Sequence, residues 1–158
     1  MRLIDFAGNV LTRWDQTIQL TANASRTYGT FPEKEILKGA DPTKVVLVTE
    51  LTPEGGPDPF TSRNLLFFKK TKDLQLPRPD VKVAAAAGAN GALAVSVSAK
   101  KLARNVFLAS GNVDGFFEDN YFDLLPGESM TVAFRPRTAT TPEALQAALT
   151  AITIADTY

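Results

Sequence analysis

The sequence predicts an all-β protein made of antiparallel sandwiches, and three observations lead there. Short alternating or wholly apolar runs recur along the chain. Gly, Pro and Asn punctuate them at roughly the eight-to-twelve-residue spacing of sandwich strands. Only one brief stretch, near the C-terminus, carries helix-start signals.

The elements follow in order. Residues 3–6 read as a strand, Gly8-Asn9 as its turn, and Val10 and Leu11 as the return. Residues 17–23 alternate Ile18, Leu20 and Ala22 against Thr17, Gln19 and Thr21, the pattern of a half-buried strand. Residues 33–38, closely bracketed by Pro32 and Gly39, read as a further short strand. Val45, Val46, Leu47 and Val48 are consecutive, which predicts a central strand over 44–51 buried on both faces. Residues 53–59 form a loop by composition, and Leu65-Leu66-Phe67-Phe68 supplies the next strand.

Pro77 and Pro79 then remove two ladder donors and favour extended backbone. The domain boundary is placed here, giving a first sandwich over 1–76 and a second over 77–158. The second opens with residues 81–87, an Asn90-Gly91 turn and residues 93–98. Asn-Gly between alternating runs is a hairpin signal because both central positions need positive φ. Residues 105–109 form a strand with Val106 and Leu108 on one side. Thr141-Pro142-Glu143 sets a threonine cap before a proline at the first helical position, so 144–149 is a short helix. Residues 151–155 close the chain as a strand.

Composition excludes several classes of function. Of 158 residues 44% are hydrophobic, enough to bury a core, and 17 basic residues balance 17 acidic ones. That balance gives no electrostatic case for nucleic acid or an acidic membrane surface. Cysteine and histidine are both absent, which removes disulfides, thiol catalysis, His-dependent triads and Cys- or His-based zinc sites. No cofactor or metal is called for. The N-terminus lacks a signal-peptide apolar region and no run is long enough to span a bilayer, so the chain is expected to be soluble.

The most distinctive stretch is Asp119-Asn120-Tyr121-Phe122-Asp123-Leu124-Leu125-Pro126-Gly127-Glu128, followed by the alternating Met130, Val132 and Phe134. It has the parts of an inter-strand corner. Proline presets φ at the first turn position, glycine takes the left-handed second, and the chain reverses into a strand. In wording it resembles the C-terminal signature of β-mannosidases of glycoside hydrolase family two. The closing Asp156-Thr157-Tyr158 and the opening Leu3-Ile4-Asp5-Phe6-Ala7-Gly8-Asn9 are similar to the same enzymes.

The resemblance implies two immunoglobulin-like sandwiches in tandem, with structural roles for Asp119, Asn120, Tyr121, Phe122, Asp123, Leu125, Pro126, Gly127 and Glu128. It implies a non-catalytic C-terminal region that packs on a catalytic barrel lying outside this chain and cleaving terminal β-linked mannose. In the family one or two strands precede the element at residues 3–9. The first sandwich is therefore short or cut inside a domain, and an incomplete sandwich leaves an edge that recruits a partner chain.

Against that stands a carbohydrate-binding module with its own affinity for mannan-type sugars. Trp14 and Tyr121 are its candidates, since an exposed aromatic ring can stack on a pyranose. Phe116, Phe117, Tyr121 and Phe122 cannot all share one surface, because strand side chains alternate, so part of this set belongs to a core. Glu118, Asp119, Asp123 and Glu128 could in principle oppose one another as a catalytic pair or, with Asp114, offer oxygens to calcium. The simpler reading is that they hydrogen-bond turn backbone.

Overall fold

The computed structural model describes residues 1–54 and 62–157. The loop expected over 53–59 lies, from residue 55 onward, outside the described residues, as does Tyr158. The chain divides into two compact units, Met1–Asp5 with Asn9–Gln75, and Phe6–Gly8 with Leu76–Tyr158.

The first unit holds a four-stranded antiparallel sheet in the order β2-β1-β3-β4, formed by β1 (Arg2–Asp5), β2 (Val10–Arg13), β3 (Val45–Leu51) and β4 (Ser62–Phe67). The β1–β2 hairpin is closed by Asp5. Its carboxylate accepts from Asn9 N–H at 2.9 Å and from the Asn9 amide at 2.8 Å, while Asp5 N–H donates to Asn9 O at 3.0 Å. The consecutive valines and leucine do place β3 centrally, between β1 and β4, with Val45–Val48 buried. Leu3, Val45 and Leu47 pack on one face against Ile36, with Met1, Trp14, Leu37, Ala40 and Phe68 around them.

Ile36 lies on a helix, α1 (Glu33–Leu37), where the sequence pattern suggested a strand. Glu, Lys and Leu are good helix formers, and Glu33 and Glu35 sit in the first turn, where the helix dipole favours acids. The left-handed Lys38 (φ 47) and Gly39 (φ 90) end it at once. Residues 17–23 also differ from expectation: they form no strand, and Leu20 is 61% exposed. Alternation shows which faces a strand would present, but not whether a neighbour is there to take its hydrogen bonds.

The second unit is a two-sheet sandwich. One sheet has the order β5-β6-β10-β8, from β5 (Lys82–Ala87), β6 (Leu93–Ser98), β8 (Gly115–Phe117) and β10 (Ser129–Pro136). The other has the order β11-β7-β9, from β7 (Ala103–Ala109), β9 (Phe122–Leu124) and β11 (Thr150–Ile152). Alternate residues from both sheets meet in one core that includes Val95, Val97, Val106, Leu108, Leu124, Val132 and Phe134. The β5–β6 hairpin turns on Asn90 (φ 53) and Gly91 (φ 76), the two positive values the dipeptide foretold.

Helix α2 (Pro142–Ala148) starts as expected, with Thr141 Oγ1 accepting from Ala144 N–H at 3.2 Å, and it buries Leu145 in the core. The final strand is shorter than expected. Thr153 and Asp156 form a capping box that turns residues 154–156 into a 3-10 helix directly after β11. The all-β class with antiparallel sheets and little helix stands as predicted.

Candidate functional site

The corner over residues 118–128 joins the two sheets of the second unit, and nearly every polar side chain in it is directed at backbone. Strand β7 carries a bulge between Ala103 and Val106 where it pairs with β9. The bulge residue Asn105 has φ 50, and its N–H, displaced from the ladder, donates to Asp123 Oδ1 at 2.7 Å. Where β9 has not yet begun, Asn120 serves as a substitute strand. Its Oδ1 accepts from Leu108 N–H at 2.7 Å and its Nδ2 donates to Leu108 O at 3.0 Å. Asp119 Oδ1 in turn accepts from Asn120 N–H at 2.8 Å.

The Leu-Pro-Gly-Glu corner is a tight turn in which Glu128 N–H donates to Leu125 O at 3.0 Å. Gly127 supplies φ 80 at the third position, as a type II turn requires. The Glu128 carboxylate returns to the other side of the same turn, Oε2 accepting from Leu125 N–H at 3.1 Å. Glu118 is paired with Arg135 across the β8–β10 ladder, its Oε1 accepting from Nε at 2.6 Å, and Asp114 lies 3.8 Å from Arg137.

The four carboxylates weighed as a catalytic pair are thus each engaged with a different backbone or arginine group. No cluster of three or more Asp or Glu fit to hold a metal ion occurs among the described residues. Asp123 has its pKa raised, chiefly because it is partly buried, with the Asn105 N–H and nearby Arg104 acting the other way. The exposed Asp41 and Asp15 are lowered, the first mainly by the Thr43 hydroxyl and the second mainly by its hydrogen bond from Arg13.

The aromatic candidates separate as strand alternation demands. Phe117 faces inward, its ring 4.9 Å from that of Phe134, and Phe122 packs on the same core. Phe116 is 55% exposed and Tyr121 65% exposed. Tyr121 stacks on Phe107, the centroids 5.1 Å apart and the planes 28° from parallel. Trp14 is half-buried in the first unit beside Met1 and Leu37, with Lys38 Nζ 5.6 Å from its ring centroid. Trp14 and Tyr121 therefore sit in different units. Arg63 forms an ion pair with Glu50 at 3.0 Å in the first unit.

The sequence reading missed Phe107 and Gln146. Phe107 was legible as the outward member between Val106 and Leu108. Gln146 had no sequence signal: from α2 it accepts from Ala85 N–H at 2.7 Å and donates to Val83 O at 3.4 Å, along β5, the outer strand of its sheet.

A sandwich whose most distinctive residues hold its own backbone is of the accessory, immunoglobulin-like class. The comparisons agree with that class and name its family. The Ig-fold domain model of mannosidases matches residues 76–157, and the mannosidase Ig/CBM-like domain model matches residues 1–73. The chain belongs to the mannosidase Ig-fold family.

Among solved structures it is similar to the β-D-mannosidase of Dictyoglomus thermophilum, at 21% identity and a TM-score of 0.72. The match covers 96% of this chain and 18% of that one. No curated protein matches the chain in sequence. No helix among the described residues is long and apolar enough to cross a membrane.

Proposed function

We propose that this region is the non-catalytic support of a β-mannosidase-like glycoside hydrolase, packing on a catalytic barrel that cleaves terminal β-linked mannose. The carrying observation is that Asn120, Asp123 and Glu128 are each hydrogen-bonded to main chain, the first two to Leu108 and Asn105 of β7 and the third to Leu125 of the corner. A group held in that way fixes a fold and is poorly placed to move a proton to a sugar. The tandem match to mannosidase domain models supports the choice of parent.

The test is the heat stability of β-mannosidase activity in the longer polypeptide that carries this region. Removal of residues 1–158 is expected to shorten the half-life of activity at elevated temperature, with the chemistry still detectable at low temperature. Unchanged heat stability would overturn the supporting role. Calorimetry of the isolated chain against manno-oligosaccharides addresses the carbohydrate-binding alternative, and binding at low millimolar sugar would favour it.

A further inference from the structure

We propose that Asn90, at the tip of the β5–β6 hairpin, is a site of spontaneous covalent modification, where the side-chain amide is lost and the folded chain converts to aspartyl and isoaspartyl forms. The reaction needs only this chain and water. The Gly91 nitrogen attacks Asn90 Cγ and gives up its proton to solvent, and the Cγ–Nδ2 bond breaks to release ammonia. Water then opens the five-membered imide at either carbonyl carbon. Opening at Cγ leaves aspartate, and opening at the main-chain carbonyl leaves isoaspartate. The net change is amide plus water to acid plus ammonia.

Three observations single out this position. Asn90 is followed by glycine, whereas Val10, Ala24, Leu65, Val106, Val113 and Tyr121 follow the other asparagines. A side chain on the attacking residue crowds its nitrogen; Gly91 has none, and even an added Cβ would meet nothing within 4 Å. Asn90 and Gly91 are also exposed, and the Asn90 amide has no hydrogen-bond partner among the described residues. The amides of Asn9 and Asn120, by contrast, are held by Asp5 and Leu108.

The third observation is how lightly the turn is held. Ring closure needs rotation about the Asn90 Cα–C bond, out of the left-handed turn conformation at φ 53. Two backbone hydrogen bonds resist it, Ala92 N–H to Ala89 O at 3.0 Å and Gly88 N–H to Ala92 O at 3.1 Å. They lie at the end of β5, an outer strand, and Gln146 holds that strand only at Val83 and Ala85. Exposed ends of this kind open far more often than a core does.

Conversion changes both charge and register. Either product adds one negative charge to a chain of formal net charge zero. Isoaspartate also carries Asn90 Cβ into the main chain, which lengthens a turn that sets the pairing of Ala87 with Leu93. Leu93 is buried in the core, so a slip there is costly.

The test is incubation of the intact chain in mildly alkaline buffer, followed by tryptic digestion and mass spectrometry. Asn90 is the one asparagine in the tryptic peptide 83–100, so exchange of amide for acid is read there directly. This peptide is expected to convert at least several-fold faster than any other asparagine-bearing peptide, with isoaspartate detected by an isoaspartyl methyltransferase. The isoaspartyl fraction, isolated by ion exchange, is expected to melt at a lower temperature than the unmodified chain. Conversion in urea but not in the folded chain would overturn the proposal, because the turn would then protect Asn90. Equal conversion across the asparagine-bearing peptides would overturn it as well. An isoaspartyl fraction that melts with the unmodified chain would overturn the loss of register.

Discussion

Replacing Asn120 with alanine removes the side chain that stands in for a missing strand. Leu108 then loses both partners at once, the acceptor for its N–H at 2.7 Å and the donor to its carbonyl at 3.0 Å. Leu108 is 1% exposed, so water reaches these groups poorly. Each partly buried backbone group left unsatisfied costs about 1–3 kcal/mol. Partial rehydration brings the expected loss to roughly 2–4 kcal/mol, a large share of the roughly 5–15 kcal/mol that stabilises a domain.

For a sandwich of this size the lower end already lowers Tm by about 8–16 °C. Urea denaturation followed by far-UV circular dichroism measures it. Asn120→Asp keeps an acceptor for the Leu108 N–H and, while protonated, an O–H to donate to the Leu108 carbonyl, so at such pH values it should fall between wild type and Asn120→Ala. A change below about 0.5 kcal/mol in Asn120→Ala, the scatter of ordinary surface substitutions, would refute the backbone-surrogate role.

Further outcomes are expected. Gly127→Ala should cost about 1–2 kcal/mol from its positive φ alone, since nothing lies within 4 Å of the added methyl. Gly115→Ala should cost more, because its Cβ would lie 2.5 Å from the Phe134 ring and 2.6 Å from Arg135 O; equal midpoints in thermal melts would contradict this ordering. Asp123 has a raised folded-state pKa, so its contribution favours folding at acid pH and is lost as pH rises through the folded value. Asp123→Asn keeps an oxygen for Asn105. The stability of wild type relative to this variant should therefore decline from acid pH to neutrality, and a relative gain across that window in denaturant titrations would contradict the burial argument. Gln146→Ala exposes the β5 main chain at Val83 and Ala85 within a run of uncharged alanines, and sedimentation velocity should show new self-association. A strictly unchanged sedimentation profile would show that the edge is guarded otherwise.

How much of this could be read from the sequence depended on whether a feature was local. The Asn90-Gly91 hairpin, the Thr141-Pro142 helix start and the Pro126-Gly127 turn were legible because each conformation is demanded by the residues that adopt it. The central position of Val45–Val48 followed from an apolar run that only a doubly covered strand tolerates. Residues 33–38 were misread because the adjacent Ile36 and Leu37 outweighed the helix-favouring Glu33 and Glu35 beside them. The turn at Thr153 and Asp156 was present in the sequence as a capping pair, but the alternating residues around it suggested a continuing strand. The partners of Asn120 and Gln146 lie 12 and 61–63 residues away, beyond any local pattern. That corner carboxylates would serve turn backbone could be anticipated; which main-chain group each would take could not.

The central claim is that the corner's acids hold main chain and arginine, and that bond cleavage lies elsewhere. Its most direct test is the hydrolysis of a chromogenic β-mannoside by the isolated 158-residue chain. The account predicts a rate indistinguishable from the uncatalysed reaction, unchanged by Glu118→Gln or Glu128→Gln. Turnover above background that either substitution abolished would contradict it.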